Sequence, residues 1–121
     1  IVYGVCISLG FAMLENIYYV YFRGGFGDPY AVATVRSFTA VPAHAIFGAV
    51  MGMNFSKYKF KRKKDKSYLT LALLIPYLLH GLYNFLIQTN YQYGLLLVFC
   101  GAIYVLKKYN DETKLQRRKK K

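Results

Sequence analysis

The chain lacks tryptophan and is poor in cysteine, proline and acidic residues. Its 121 residues include no Trp, two Cys, three Pro and five Asp or Glu. Cys6 and Cys100 lie in apolar stretches and have no CxxC spacing, so they indicate neither a disulfide framework nor a cysteine zinc site. The scarcity of acid leaves a net charge of +12. A disordered basic chain would be poor in apolar residues, whereas 55% of these residues are hydrophobic, so that class is excluded too.

The basic residues are concentrated in two segments. Fifteen of the 17 lie in residues 57–66 and 107–121, and the remainder of the chain carries two basic and two acidic side chains. A soluble nucleic-acid-binding domain would spread such charge over its surface. This segregation therefore predicts a membrane protein with basic loops on one side, and no nucleic-acid partner is expected.

The apolar stretches predict an all-α bundle of four transmembrane helices. A hydrocarbon core of roughly 30 Å needs about 20 mostly apolar residues, and backbone groups within lipid must be paired inside a helix. Stretches of this kind occupy about residues 1–22, 34–55, 68–87 and 91–106. We therefore expect a membrane domain over residues 1–106, followed by a basic, disordered tail over residues 107–121.

The positions of the lysines and arginines predict the orientation. The loop of residues 56–67 holds seven basic residues and the tail holds eight, whereas the two connections on the opposite side hold only Arg23. By the positive-inside rule, the loop and the tail are cytoplasmic in a multi-pass protein of the plasma membrane. Both basic segments are expected to contact anionic lipid.

Six polar residues interrupt three of the predicted spans, two in each: Glu15, Asn16, Arg36, His44, His80 and Asn84. A charge at the bilayer centre costs about 2.5–3.5 kcal/mol on insertion scales, so residues of this kind usually face the interior of a bundle. The fourth span contains none. Helices one to three should therefore share a polar interior, with helix four as packing support.

Helical spacing places several of these side chains. His80 and Asn84 are four residues apart and project from one face, and His44 shares a face with Gly48, where a neighbouring helix can approach closely. Glu15 should point inward, with three aromatic side chains on its side of the helix packed around it. These are Phe11, Tyr18 and Phe22.

One carboxylate and two imidazoles on three helices suit hydrolysis in two ways. Glu15, His44 and His80 can hold Zn²⁺ and leave a position for water. Alternatively, Glu15 can act as a general base on water while histidine and asparagine stabilise an oxyanion. Structural roles also remain open, since Arg36 can form an ion pair with Glu15 that closes two helices or orients the carboxylate, and a membrane histidine can simply bridge helices.

The ordered motifs of the first three spans resemble those of the PrsW-type intramembrane proteases, relatives of the CAAX prenyl endopeptidase and bacteriocin-processing superfamily. They are Phe11-Ala-Met-Leu-Glu15-Asn16, Arg36, His44-Ala-Ile-Phe-Gly48 and His80-Gly-Leu-Tyr-Asn84-Phe85. The resemblance implies a membrane endopeptidase acting on membrane-associated proteins, whose best-known member cuts an anti-sigma factor. It places Glu15, His44 and His80 at catalytic or metal-binding positions, and Asn16 and Asn84 at supporting ones.

The chain departs from that family in one respect. The family carries a Glu-Glu pair beside a basic residue on an earlier helix, and no Glu-Glu occurs in this sequence. Because the chain begins with Ile1 rather than Met, we expect it to be a fragment that is inactive alone. A full protein without the pair would be a catalytically inactive homologue, and a small transporter or ion-binding scaffold is a third interpretation.

Overall fold

The computed structural model describes residues 1–22, 28–61, 65–89 and 91–118, and in these ranges it has five helices and no strand. They are α1 (Val2–Tyr21), α2 (Pro29–Phe38), α3 (Ala40–Phe60), α4 (Ser67–Thr89) and α5 (Tyr91–Arg118). The predicted all-α fold is confirmed. Arg23, residues 62–64 of the basic loop and residues 119–121 of the tail lie outside the described residues.

Two aspartates mark helix starts. The carboxylate of Asp28 accepts a hydrogen bond from the backbone N–H of Tyr30 at 3.3 Å, and Pro29 fits the first turn, so α2 begins before the predicted span. The carboxylate of Asp65 accepts the backbone N–H of Ser67 at 2.9 Å at the start of α4. That hydrogen bond holds the pKa of Asp65 below its usual value.

The second predicted span is divided between α2 and α3. The division falls at Thr39, whose backbone has φ −118° and ψ −65°. Its hydroxyl donates a hydrogen bond of 2.9 Å to the carbonyl of Val35, one turn earlier. Hydroxyls bonded in this way bend helices, so a bend separates the helix that carries Arg36 from the helix that carries His44.

Within the described ranges, two helical stretches are long and apolar enough to cross a membrane, Pro29–Phe60 and Ser67–Thr89, and Tyr93–Val105 is a shorter apolar one. Helix α1 has 20 residues but contains Glu15 and Asn16. Large apolar side chains point outward: Ile7, Leu73 and Phe99 are 65%, 64% and 65% exposed. An apolar exterior of this kind suits a lipid surrounding.

Helix α5 continues to Arg118, past residue 106, where the sequence predicts the end of the last span. The expectation of a disordered tail is therefore wrong over residues 107–118. Eight of the twelve residues 107–118 are Lys, Arg, Glu, Gln or Leu, which are good helix formers. Because these residues extend a helix that has already formed, the cost of nucleating a new helix does not arise.

Helix α3 is the centre of the bundle and contacts all four other helices. Its glycines allow α1 to approach, as expected from the small residues beside His44. A β-carbon added to Gly48 would lie 2.7 Å from Cα of Val5 and 2.8 Å from Cβ of Ser8, and one added to Gly52 would lie 2.6 Å from Cα of Ile1. The two backbones are therefore in direct contact, which fixes the height of α1 against α3.

Candidate active site

The carboxylate of Glu15 lies at the meeting point of four helices. One oxygen, Oε2, is 2.6 Å from Nη2 of Arg36 and 3.2 Å from Nε2 of His44, and the other, Oε1, is 3.3 Å from Nε2 of His80. The four side chains come from α1, α2, α3 and α4. Only 13% of the Glu15 side chain is exposed, so the carboxylate exchanges water for these three partners.

The two imidazoles face each other across the carboxylate. Their ring centres are 4.9 Å apart and their planes are inclined by 55°. His44 is almost completely buried, whereas the side chain of His80 is 24% exposed. The backbones of α1 and α4 lie apart, with no described Cα pair within 8 Å, so these side chains bridge an open gap.

Two phenylalanines hold the histidine rings. The Phe11 ring lies 5.7 Å from that of His44 and 5.9 Å from that of His80, and the corresponding distances for Phe47 are 5.9 and 6.1 Å. Aromatic pairs at these separations attract each other. Sequence analysis missed Phe47, although its position three residues after His44 puts both on one helix face.

The expected packing around Glu15 is correct only for Phe11. The rings of Tyr18 and Phe22 stack on each other, and these side chains are 55% and 74% exposed. The reason is the rise along the helix and not rotation, since all three aromatic residues lie within about 60° of Glu15 around α1. Phe11 is one turn before Glu15, whereas Tyr18 and Phe22 are about one and two turns after it, where α1 ends. The aromatic side chain that sequence analysis missed on this side is Tyr19.

Arg36 binds two adjacent residues of α1 at once. While Nη2 contacts Glu15, Nε donates a hydrogen bond of 2.7 Å to Oδ1 of Asn16, and the guanidinium carbon lies 4.0 Å from the centre of the Tyr19 ring. Glu15 and Asn16 are about 100° apart around the helix. The planar fork of arginine spans that angle, so the ion pair expected between Arg36 and Glu15 also fixes Asn16.

Asn84 is separated from the other predicted site residues. It lies on α4 one turn after His80 and lines a cavity of about 590 Å³ with Arg36, Tyr83 and Gln88. Within the described part of the chain it makes no hydrogen bond to Glu15 or to either histidine. Asn84 is therefore placed to meet a molecule in this cavity.

A second cavity adjoins the opposite side of the histidines. It measures about 270 Å³ and is mostly apolar, with Phe11, Phe47 and Tyr77 among the side chains that line it beside His44 and His80. The larger cavity carries Arg36, Asn84 and Gln88 among apolar wall residues, whereas the smaller one, beside the imidazoles, is almost wholly apolar. An extended peptide has both kinds of surface, backbone and side chain.

The donor atoms fit a metal ion. Glu15, His44 and His80 each offer one ligand atom, and all of these lie within 4.8 Å of one another. Nε2 of His80 is buried and has no hydrogen-bond partner among the described residues. Two nitrogens and one carboxylate oxygen are a ligand set of catalytic zinc sites, in which bonds of about 2.0–2.1 Å separate neighbouring ligands by about 3.4 Å. The separations of 3.2 Å to His44 and 3.3 Å to His80 are close to that value but involve different oxygens of Glu15. One ligand atom from each residue lies within 4.8 Å of the other two, so the three would draw closer around an ion.

Comparison with known proteins identifies the family of the chain. The model of the PrsW family of intramembrane metalloproteases matches residues 1–107. The chain is 35% identical to a Protease PrsW of Clostridioides difficile (strain 630), over 100% of this chain and 57% of the relative. It is 39% identical to that of Oceanobacillus iheyensis, over 93% of this chain and 53% of the relative. It is 42% identical to that of Bacillus subtilis (strain 168), over 79% of this chain and 43% of the relative.

The chain thus spans about half the length of the curated relatives it matches. No solved structure is significantly similar to it. The family model covers all five of the predicted catalytic and supporting residues and also Arg36. On this match, the chain belongs to the PrsW family of intramembrane metalloproteases.

Proposed function

We propose that the full-length protein hydrolyses peptide bonds of membrane-associated proteins at Glu15, His44 and His80. One observation carries this proposal: a single carboxylate contacts two imidazoles and a guanidinium from three other helices, inside an otherwise apolar bundle. Charged groups in such surroundings are costly and usually functional. Membership of a protease family supports the same conclusion.

Each polar side chain has a role in this proposal. Arg36 holds the carboxylate of Glu15 in one orientation, and the phenylalanines hold the imidazoles of His44 and His80. Of the two oxygens of Glu15, Oε2 is shared by Arg36 and His44, so Oε1 is the one directed at His80 and available to reactants. Asn84 would hold the substrate backbone in the larger cavity, and Asn16 supports Arg36.

Glu15, His44 and His80 would hold the metal, and we propose Zn²⁺ because two histidines and one glutamate are characteristic zinc ligands. When bound, the ion would supply Lewis-acid polarisation of a carbonyl and activation of water. The imidazoles must be neutral to act as ligands, and the carboxylate must be ionised. The guanidinium of Arg36 lies 2.6 Å from the carboxylate of Glu15 and places a positive charge beside it.

The two cavities near Glu15 suggest how a substrate peptide is oriented in the site. Its backbone would pass the carboxylate, with an apolar side chain in the cavity beside Phe11 and Tyr77 and backbone carbonyls toward Asn84 and Gln88. An anti-sigma factor, the substrate implied by the resemblance, is the protein to test first. We propose that the loop of residues 56–67 and the tail face the cytoplasm and contact anionic lipid.

Metal removal tests the cofactor. We expect the full-length protein in proteoliposomes to bind about one Zn²⁺ per chain and to lose cleavage of a reporter protein on complete chelation. Added Zn²⁺ should restore it. Full cleavage by protein shown to be metal-free would instead assign Glu15 as a general base without metal. Substrate flux across the membrane with no cleavage would contradict the proposed function itself.

Arg36→Lys tests the positioning of the carboxylate. Lysine keeps the charge but cannot bind Glu15 and Asn16 together, so we expect cleavage to fall about 10- to 100-fold, as for other groups that orient metal ligands. Cleavage should be measured as kcat and KM separately, since the loss is expected in kcat. Unchanged kcat in this variant would show that the two-point contact is unnecessary.

A further inference from the structure

A third cavity lies away from Glu15, between α3, α4 and α5. Its volume is about 420 Å³. Its walls are mainly apolar side chains, including Val50 and Met53 of α3, Leu79 of α4 and Val98 of α5. The polar residues that line it are Asn54, Lys57, Tyr104 and Lys108. The hydrolytic site uses none of these polar groups.

The cavity is elongated. Along α3 its lining runs from Ile46 to Lys57 and along α5 from Leu97 to Lys108, eleven helical steps in each case, or about 16 Å at 1.5 Å per residue. Its length is close to the hydrocarbon depth of one leaflet, about 15 Å.

Both lysines lie at the same end of this cavity. Helices α3 and α5 each run against α4 in a three-helix meander, so their C-terminal ends are adjacent. Lys57 and Lys108 are partly buried there, and Nζ of Lys108 donates a hydrogen bond of 2.8 Å to the hydroxyl of Tyr104. Two ammonium groups above an apolar cleft are complementary to an anionic head on an acyl chain.

We infer that this cavity binds one anionic glycerophospholipid, with an acyl chain along α3 and α5 and its phosphate at Lys57 and Lys108. The lipid is distinct from the general attraction of the basic loop for the membrane surface, because it occupies a defined cleft. The inference requires only that the protein is in a membrane, so it stands apart from the proposed proteolysis.

Cys100 provides a probe of occupancy. It lines the cavity and is exposed, whereas Cys6 on α1 is also exposed but lines none of the cavities described above. In full-length protein in detergent, phosphatidylglycerol should slow alkylation of Cys100 by N-ethylmaleimide, followed by peptide mass spectrometry. Cys6 should react at an unchanged rate. Phosphatidylcholine with the same acyl chains should protect Cys100 only at much higher concentration.

The charge of the two lysines and the free volume of the cavity can be varied separately. In the double variant Lys57→Gln, Lys108→Gln, half-protection should need roughly 30-fold more phosphatidylglycerol, since each lysine loses its attraction for anionic lipid. The matched control is Lys59→Gln, Lys61→Gln, which removes the same charge from residues that do not line the cavity.

Gly101→Leu keeps both lysines but fills the cavity. A β-carbon there would meet only Ile46, at 3.4 Å, so there is room for it.

Four results would overturn the inference. Three of them are equal protection by the two lipids, an undiminished preference for phosphatidylglycerol in the Lys57, Lys108 variant, and protection that survives Gly101→Leu. Alkylation of Cys100 that is slow without lipid and unaffected by it would also overturn the inference, because another part of the full-length protein would then cover the cleft.

Discussion

Cleavage by the full-length protein is expected to fall at least about 100-fold when Glu15 is replaced by glutamine. The glutamine has nearly the same shape, so it can still reach Arg36, His44 and His80. What it loses is the negative charge, which a metal ligand and a general base both require. The expected loss is therefore large under either mechanism and is measured as kcat/KM for a reporter protein.

Asp28→Asn is the matched control for this variant. It also removes one carboxylate from the N-terminal half of the chain, but at the exposed start of α2, where asparagine caps a helix as well as aspartate does. We expect wild-type cleavage from it. Equal losses in the two variants would trace the effect to net charge, and wild-type cleavage by Glu15→Gln would remove Glu15 from the site.

The second large effect is expected at a residue without a side chain. Gly48→Ala should lower the free energy of unfolding by about 1–3 kcal/mol, the usual cost of overpacking, because its β-carbon would lie 2.7 Å from the backbone of Val5. Helix α1 must move away to accommodate it. Since α1 carries Glu15, cleavage should fall as well, by as much as about 100-fold for a 1 Å displacement.

Gly10→Ala separates packing from helix propensity. It adds the same methyl group to α1, but at a position where a β-carbon meets nothing within 4 Å. We expect unchanged cleavage and unchanged or slightly higher stability, since alanine is the better helix former. Both variants are compared by thermal or denaturant unfolding in detergent. Equal behaviour of the two would contradict the close α1–α3 contact.

The residues of the candidate site were predictable because polar groups are rare in these helices. In an apolar span, Glu15, His44 and His80 have to face the interior, and short connections bring consecutive helices together. Gly48 predicted the close approach of a neighbouring helix because it has no side chain, and the structure shows that this helix is α1. These inferences need only helical periodicity and the cost of burying charge.

Other features depend on distances that periodicity does not contain. The fork of Arg36 binds both Glu15 and Asn16 from α2, which a bend at Thr39 separates from α3, whereas the sequence suggested one unbroken span there. Asn84 shares a helical face with His80, yet one turn of rise places it in the larger cavity rather than beside the carboxylate. The cavity between α3, α4 and α5 arises from the packing of three helices, and no sequence motif marks it.

A double-mutant cycle on the histidines tests the central claim, that Glu15, His44 and His80 act as one hydrolytic unit. Cleavage by the full-length protein is measured under single-turnover conditions for His44→Ala, for His80→Ala and for the double variant. The effects of substitutions at groups that act together are strongly non-additive. The double variant should therefore be as active as the less active of the two single variants. Losses that multiply, or a single variant with the wild-type rate, would contradict the shared site.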